Sequence, residues 1–376
     1  MSDFSNNEMT ILFTGDACSC GRFELPIKNG QSIFGNDLKH LLLKQDFVIT
    51  NLEGPATQED NINNSFARIV SEPTFISFLS SQNIKYYNLA NNHILDCGVK
   101  GLEDSIKNIQ SNDGYYLGAG MNEQEAKKEL VLKKNDLSIG IFSSSYKDAF
   151  AAKKDKAGVS NFSNPNEILK KAKALKREHQ FVIFNYHGDG EFVQYPLPQK
   201  RKFLKSLCDS SIDFIICHHP HVIQGMEEIN GTKIFYSLGN FVFDSERQSR
   251  FSYTDIGILL KLKITHSNVN WEVIPVIKNL DKAIVQLYSN KFDFGDYCDF
   301  KNYKKNWRME GARVFKEDKL NRNTGSQTSS SESNSTKTLP KVFRLTFYKA
   351  IFSALANPHY RPIFFAYLCH IVLRDR

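Results

Sequence analysis

Short apolar runs alternate with amphipathic stretches through the first third of the chain. Residues 9–15 (Met-Thr-Ile-Leu-Phe-Thr-Gly) and 47–50 (Phe-Val-Ile-Thr) read as buried strands, and 84–89 as a third. Between them, Leu38, Leu41 and Leu42 predict a helix within 33–45, and Pro73 opens another through Leu79. Leu102, Ile106 and Ile109 mark one face of a helix over 99–110. This β–α–β–α–β–α order predicts a mostly parallel, layered sheet. A hairpin follows, 130–133 and 137–143 around Lys134-Asn135-Asp136. Then come a polar helix (165–178), a strand (181–184), a helix (198–209) and a strand (214–217). From 222 to 278 the pattern becomes antiparallel, with Asn230-Gly231 as the strongest hairpin cue.

The tail departs from this pattern. Residues 321–337 contain no large apolar side chain and read as a disordered Ser/Thr/Asn-rich linker over 321–340. Residues 341–376 are apolar and basic, interrupted at Asn357-Pro358 and Arg361-Pro362. Two readings stand for that segment: a short helical piece lying on a membrane surface or protein partner, or a satellite helix packed on the body. The expected organisation is thus a domain over 1–285, an extension over 286–320, the linker and the tail.

Charge sharpens the division. Residues 301–376 hold 15 Lys and Arg against 5 Asp and Glu, while residues 1–300 hold 33 against 36, so the body is net −3. This balance argues against a nucleic-acid partner for the body, because it predicts no phosphate-tracking surface. Hydrophobic residues at 41% allow a sizeable core and exclude a wholly disordered or collagen-like chain. Seven Cys without regular spacing point to reduced thiols and a cytoplasmic protein, with peripheral attachment to a membrane through the tail as a further expectation. The first residues show no signal peptide, and no apolar run of about 18 residues exists.

Five segments place a metal-capable side chain just after a predicted strand. They are Gly15-Asp16, Asn51-Leu52-Glu53, Asn91-Asn92-His93, His187-Gly188-Asp189-Gly190-Glu191 and His218-His219-Pro220-His221. In layered α/β sheets the carboxyl ends of strands open on one crevice, so these residues are expected to converge. Two carboxylates, an amide and several imidazoles suit hard to borderline divalent metals. Each segment alone has an ordinary reading as a turn, a helix cap or a buried histidine. The pair His219 and His221 is stronger, because side chains two apart on an extended segment share a side.

Ordered this way, the segments resemble the calcineurin-like metallophosphoesterase superfamily. Their wording is most similar to the CapA family of bacterial poly-γ-glutamate capsule synthesis proteins. The matching stretches are Phe13-Thr-Gly-Asp16, Asn51-Leu-Glu-Gly-Pro55, Leu89-Ala-Asn-Asn-His93 with Asp96, His187-Gly188 with Glu191, His218-His-Pro-His-Val222 and Tyr236-Ser-Leu-Gly-Asn-Phe241. The resemblance implies a four-layer α/β/β/α sandwich with mixed sheets and two divalent metal ions (Mn, Fe or Zn). Asp16 and His221 would bind one metal, Asn92, His187 and His219 the other, and Glu53 would bridge them. His93 would serve as general acid or oxyanion donor. The implied activity is a hydrolase or transferase acting on a phosphoester or γ-glutamyl bond of an anionic polymer. A non-catalytic assembly factor of a capsule machine is the alternative.

Other residues keep two readings. Glu191 orients His187, binds substrate or is a surface carboxylate. His218 stands behind the ligands or is structural, and Asn240 caps its loop or touches substrate. Cys18 occupies the position where the superfamily carries a His, as a thiolate ligand or a buried thiol.

Overall fold

Apolar strands with two buried faces need layers on both sides, and the computed structural model provides them. It describes residues 8–60, 69–146, 150–162 and 164–325. The first part runs β1 (Met9–Ala17), α1 (Glu24–Lys28), α2 (Asn36–Leu43), β2 (Phe47–Leu52), α3 (Thr74–Ser81), β3 (Ile84–Asn88), α4 (Gly98–Gln110), β4 (Tyr115–Leu117), β5 (Ala119–Gly120) and α5 (Glu123–Ala126). The hairpin β6 (Leu130–Lys134) and β7 (Leu137–Ser145) leads to β8 (Gly158–Val159), α6 (Pro165–Glu178), β9 (Phe181–His187), α7 (Pro198–Lys205) and β10 (Phe214–His218). Then follow β11 (Ile223–Ile229), β12 (Thr232–Leu238), β13 (Asn240–Val242), β14 (Ile256–Ile264), β15 (Val269–Asn279), β16 (Ile284–Leu287) and α8 (Tyr303–Gly325).

Apart from the short antiparallel pair β5 and β8, the strands form two mixed sheets rather than one mostly parallel sheet. The first has the order β16-β15-β14-β1-β2-β3-β4, with β13 beside β1, and the second the order β11-β12-β10-β9-β7-β6. In the first, β1 to β4 are parallel and β14 to β16 antiparallel. In the second, β7, β9, β10 and β12 are parallel, with an antiparallel strand at each edge. The antiparallel additions explain the difference, since β14 returns from the second sheet to pair beside β1.

Three apolar layers separate the elements. Ile11, Phe13, Ile49, Ile139, Ile183, Ile216, Phe235 and Leu260 fill the space between the sheets. Leu38, Leu42, Phe75, Leu79, Leu102 and Ile109 from α2, α3 and α4 cover the outside of the first sheet. Ile168, Ala172, Leu175 and Leu204 from α6 and α7 cover the outside of the second. The result is the α/β/β/α sandwich. Helix α7 stops at Lys205, short of the expected 209, and the next turn continues through i to i−3 bonds at Leu207 and Cys208.

The extension contains the 23-residue helix α8, which runs past residue 321, the expected start of the linker. Arg313 Nη2 donates to Phe192 O at 2.6 Å, and Tyr303 Oη donates to Pro196 O at 2.7 Å. So α8 is tied to the loop between β9 and α7. The tail over 341–376 lies outside the described residues. Among the described helices none is long and apolar enough to cross a membrane.

Candidate metal centre

Parallel strands β1, β2, β3, β9 and β10 all finish at one end of the sandwich, and the predicted site residues lie in the last residues of these strands or in the loops that directly follow them. At β1 the pairing register shifts between Phe13 and Asp16. Gly15 permits this bulge, because a Cβ there would lie 2.0 Å from Gly239 O. The bulge brings Asp16 to a fully buried position between the sheets.

His219 and His221 reach the same place by an unexpected route. Strand β10 ends at His218, and both histidines have left-handed backbones, at φ 99° and 58°. They therefore flank Pro220 in a strained turn, not on an extended segment. Several hydrogen bonds hold the turn. His219 N donates to an Asp16 oxygen at 3.2 Å, and Phe192 N donates to Pro220 O at 2.8 Å. His221 Nδ1 meets Asn240 Oδ1 at 3.0 Å. The Asn240 amide nitrogen donates to His221 O, Gln248 Oε1 and Thr254 O. That orientation leaves Asn240 Oδ1 as an acceptor, so His221 Nδ1 carries the proton and Nε2 keeps its lone pair.

That lone pair faces Glu53, with Nε2 3.7 Å from Glu53 Oε1. On the other side His187 Nε2 is 3.7 Å from the same oxygen. His187 Nε2 also lies 2.8 Å from Asn92 Oδ1 and 3.2 Å from His219 Nδ1. Two imidazole nitrogens that close must share a proton or turn their lone pairs to a common cation. Two groups of ligand atoms result, Glu53-His187-His219 and Asp16-Glu53-His221, each with its atoms within 4.8 Å of one another. Glu53 belongs to both.

The electrostatics suit a cation. Glu53 is fully buried and neither of its oxygens has a hydrogen-bond partner. Burial, then the charges of Asp16 and Glu191, push its carboxyl well above the ordinary range. Burial pushes Asp16 the same way, but His218, His221 and His187 outweigh it and hold that carboxyl low. Burial lowers both His187 and His221, keeping their rings neutral, the form in which imidazole ligates. Two carboxylates, an amide oxygen and three imidazoles are thus compatible with divalent metal.

His93 stands at the rim, with Nε2 4.0 Å from Glu53 Oε1 and Nδ1 2.8 Å from Asp96. His218 Nδ1 lies 3.4 Å from Asp16 Oδ1, behind the site. Glu191 pairs with Arg247 at 2.6 Å, not with His187. Cys18 is turned away into an apolar pocket with Cys20, Ile69 and Phe243, and burial pushes its thiol well up. It belongs to neither group of ligand atoms.

Two residues quoted within the motifs, but given no role there, position the others. Asn51 Nδ2 donates to Asp16 Oδ1 at 2.8 Å and lies 3.3 Å from His187 Nδ1, while its own oxygen accepts from Asn88 at 2.9 Å. Asp96 orients His93. Their signals were present: Asn51 sits two positions before Glu53, and Asp96 three after His93.

Fold and site together define a class: a two-sheet α/β sandwich whose strand ends carry a shared carboxylate amid histidines. The sequence model of the bacterial capsule synthesis protein PGA_cap family matches residues 10–245, so the chain belongs to that family. Every candidate site residue falls inside the match, whereas β14, β15, β16 and α8 fall outside it. The PGA biosynthesis protein CapA of Bacillus subtilis (strain 168) is 31% identical over 249 residues, 64% of this chain and 65% of that protein. The capsule biosynthesis protein CapA of Bacillus anthracis is 32% identical over 253 residues, 64% of this chain and 61% of that one. The matched stretch thus spans less than two thirds of either relative. A crystal structure of a novel phosphatase from Mycoplasma pneumoniae superposes with a TM-score of 0.47 at 18% identity, over 72% of this chain and 94% of that one.

Proposed function

We propose that this chain is a metal-dependent hydrolase or transferase acting on an anionic surface polymer, poly-γ-glutamate or a related capsule chain. The carrying observation is Glu53, a buried carboxylate without hydrogen-bond partners that two groups of ligand atoms share. A charge buried in that way is strongly unfavourable unless a cation meets it. In this reading Asp16, Glu53 and His221 hold one divalent ion, and Glu53, Asn92, His187 and His219 hold a second (Mn, Fe or Zn). Such a pair supplies Lewis-acid polarisation and a nucleophile near neutral pH. The names of both curated relatives, for PGA and for capsule biosynthesis, support a polymer of that kind.

The chain's own groups supply orientation and a proton. Asp96 accepts from His93 Nδ1, which fixes the ring and turns Nε2 toward the site. His93 then holds a proton at Nε2, at the rim of the site, and gives it to the leaving oxygen or nitrogen. Asn240 fixes His221, and Asn51 with Asn88 fixes Asp16. Pre-set groups lose little freedom when substrate arrives.

Elemental analysis of protein purified with Mn tests the reading, alongside assays on phosphodiester and γ-glutamyl substrates. Wild type is expected to hold two ions per chain and His221→Ala fewer, with activity lost. Metal content unchanged in a His219→Ala/His221→Ala variant would sink it. A non-catalytic assembly role is the second reading, favoured by the +10 balance of residues 301–376. Deleting residues 326–376 separates the two, since an assembly role predicts loss of capsule while any activity in vitro is left unchanged.

A further inference from the structure

A second concave feature lies away from the buried carboxylates. It is a groove of about 350 Å³ between α7 and the start of α8, lined by Pro198, Arg201, Lys202, Lys205, Tyr303 and Lys304. Arg201 is already committed. Its guanidinium holds Glu227 through two bonds of 2.7 Å and lies 4.4 Å over the Tyr303 ring. Glu227 also accepts from Tyr236 Oη at 3.0 Å, so both its oxygens are occupied. Lys202, Lys205 and Lys304 are exposed, and among the described residues none has an acidic group within ion-pair distance. Lys205 feels the Glu227 charge only at longer range. Four cations against one carboxylate leave the groove near +3, on a body that is net −3. A local excess of one sign inside a concavity focuses the field and draws in the opposite charge.

The groove is also mechanically joined to the metal centre. Lys200, on the buried side of α7, pairs with Asp189 at 3.3 Å, two residues after His187. Tyr303 at the head of α8 bonds Pro196 in the same loop. One loop therefore connects the candidate ligand His187 to both walls of the groove.

We propose that this groove is an anchoring subsite for a polycarboxylate chain, which it holds by Lys202, Lys205 and Lys304 while another part of the chain enters the metal centre. Three flexible ammonium groups act as point charges, which suits carboxylates at irregular spacing. The lining has no exposed aromatic face for a base to stack on, because Tyr303 is buried under Arg201. That favours a polycarboxylate over a single-stranded nucleic acid. The choice of polymer rests on the function proposed above, whereas the anion subsite does not. Two points of attachment on one chain raise apparent affinity without any new contact at either.

Fluorescence anisotropy with labelled poly-γ-glutamate at low salt, using the full chain, tests the proposal. Wild type is expected to bind the polymer far better than free glutamate and to weaken as salt rises. Lys202→Glu/Lys205→Glu/Lys304→Glu should bind about tenfold more weakly or worse. The matching triple change to Arg should keep most of the binding, and unchanged thermal melting of both variants excludes misfolding as the cause. In a His219→Ala/His221→Ala background the Glu triple change should still weaken what binding remains, so failure of the metal reading would leave this one standing. Wild-type affinity in the Glu triple variant overturns the subsite. So does tighter binding of a single-stranded oligonucleotide of equal charge.

Discussion

The layer between the two sheets has two ends built by the same strands. At one end Ile139, Ile141, Ile183, Phe214 and Ile216 of the second sheet pack on Ile11, Phe13, Ile49 and Leu260 of the first. Two to four residues further along, the same inward positions carry Ser143, Ser145, Asn185, His187 and His218, facing Asp16 and Asn51. Both ends are buried, but the apolar end is satisfied by contact alone. At the polar end the hydroxyls of Ser143 and Ser145, both amide atoms of Asn185, both oxygens of Glu53 and His218 Nδ1 have no hydrogen-bond partner. Unpartnered buried groups each oppose folding by roughly 1–3 kcal/mol. Stability is thus concentrated at one end, and a cluster prepared for a cation is carried at the other.

The largest effect is expected at the apolar end. Ile183→Ala should lose roughly 2–5 kcal/mol in denaturant unfolding, to the same extent with and without Mn. A loss below about 1 kcal/mol, or one that metal repairs, would break the contrast between the ends.

Next comes a buried charge beside the polar end. Lys278 donates to Phe243 O, and the Phe243 ring lies 4.9 Å from that of His221. Burial pulls its pKa from the usual 10.5 down to about 8. Between those values the unfolded chain binds the proton and the folded chain does not, so this group makes stability rise with pH. Wild type should therefore gain roughly 3 kcal/mol over Lys278→Met between pH 8 and 10.5, measured by parallel unfolding curves. Parallel pH profiles for the two proteins would show that Lys278 is solvated in the folded state.

The smallest effect carries an unusual sign. Glu53→Gln should stabilise the metal-free protein by about 1 kcal/mol, since a neutral amide is cheaper to bury than a carboxylate. The same change should abolish the gain of about 3 kcal/mol that Mn at about 100 times its Kd gives wild type. Destabilisation of the metal-free variant would mean that Glu53 already has a partner.

Much of this was legible in advance. Strands β1, β2, β3, β9 and β10 announced themselves as apolar runs, each followed by Asp, Glu, Asn or His, and the chain order of those residues sufficed to group them. Less visible were Asn51, Asn88 and Asn185, which are polar residues closing apolar strands and read equally well as turn formers. Helix α8 was not legible either. Its residues lack a strong apolar stripe, and it is held by Arg313, Tyr303 and Asn306 bonding across more than a hundred residues. Hydrophobic periodicity does not register that kind of anchoring.

By itself the sequence determined where the strands lie, which faces they bury and which chemistry-bearing side chains follow them, because those depend on neighbours a few residues away. Only the tertiary structure decided that Glu53 lies between two ligand groups and that the His219-Pro220-His221 turn takes a left-handed backbone. It also decided that Cys18 faces an apolar pocket and that three lysines from α7 and α8 share one groove. Those outcomes depend on which distant segments meet, and packing two sheets face to face settles that.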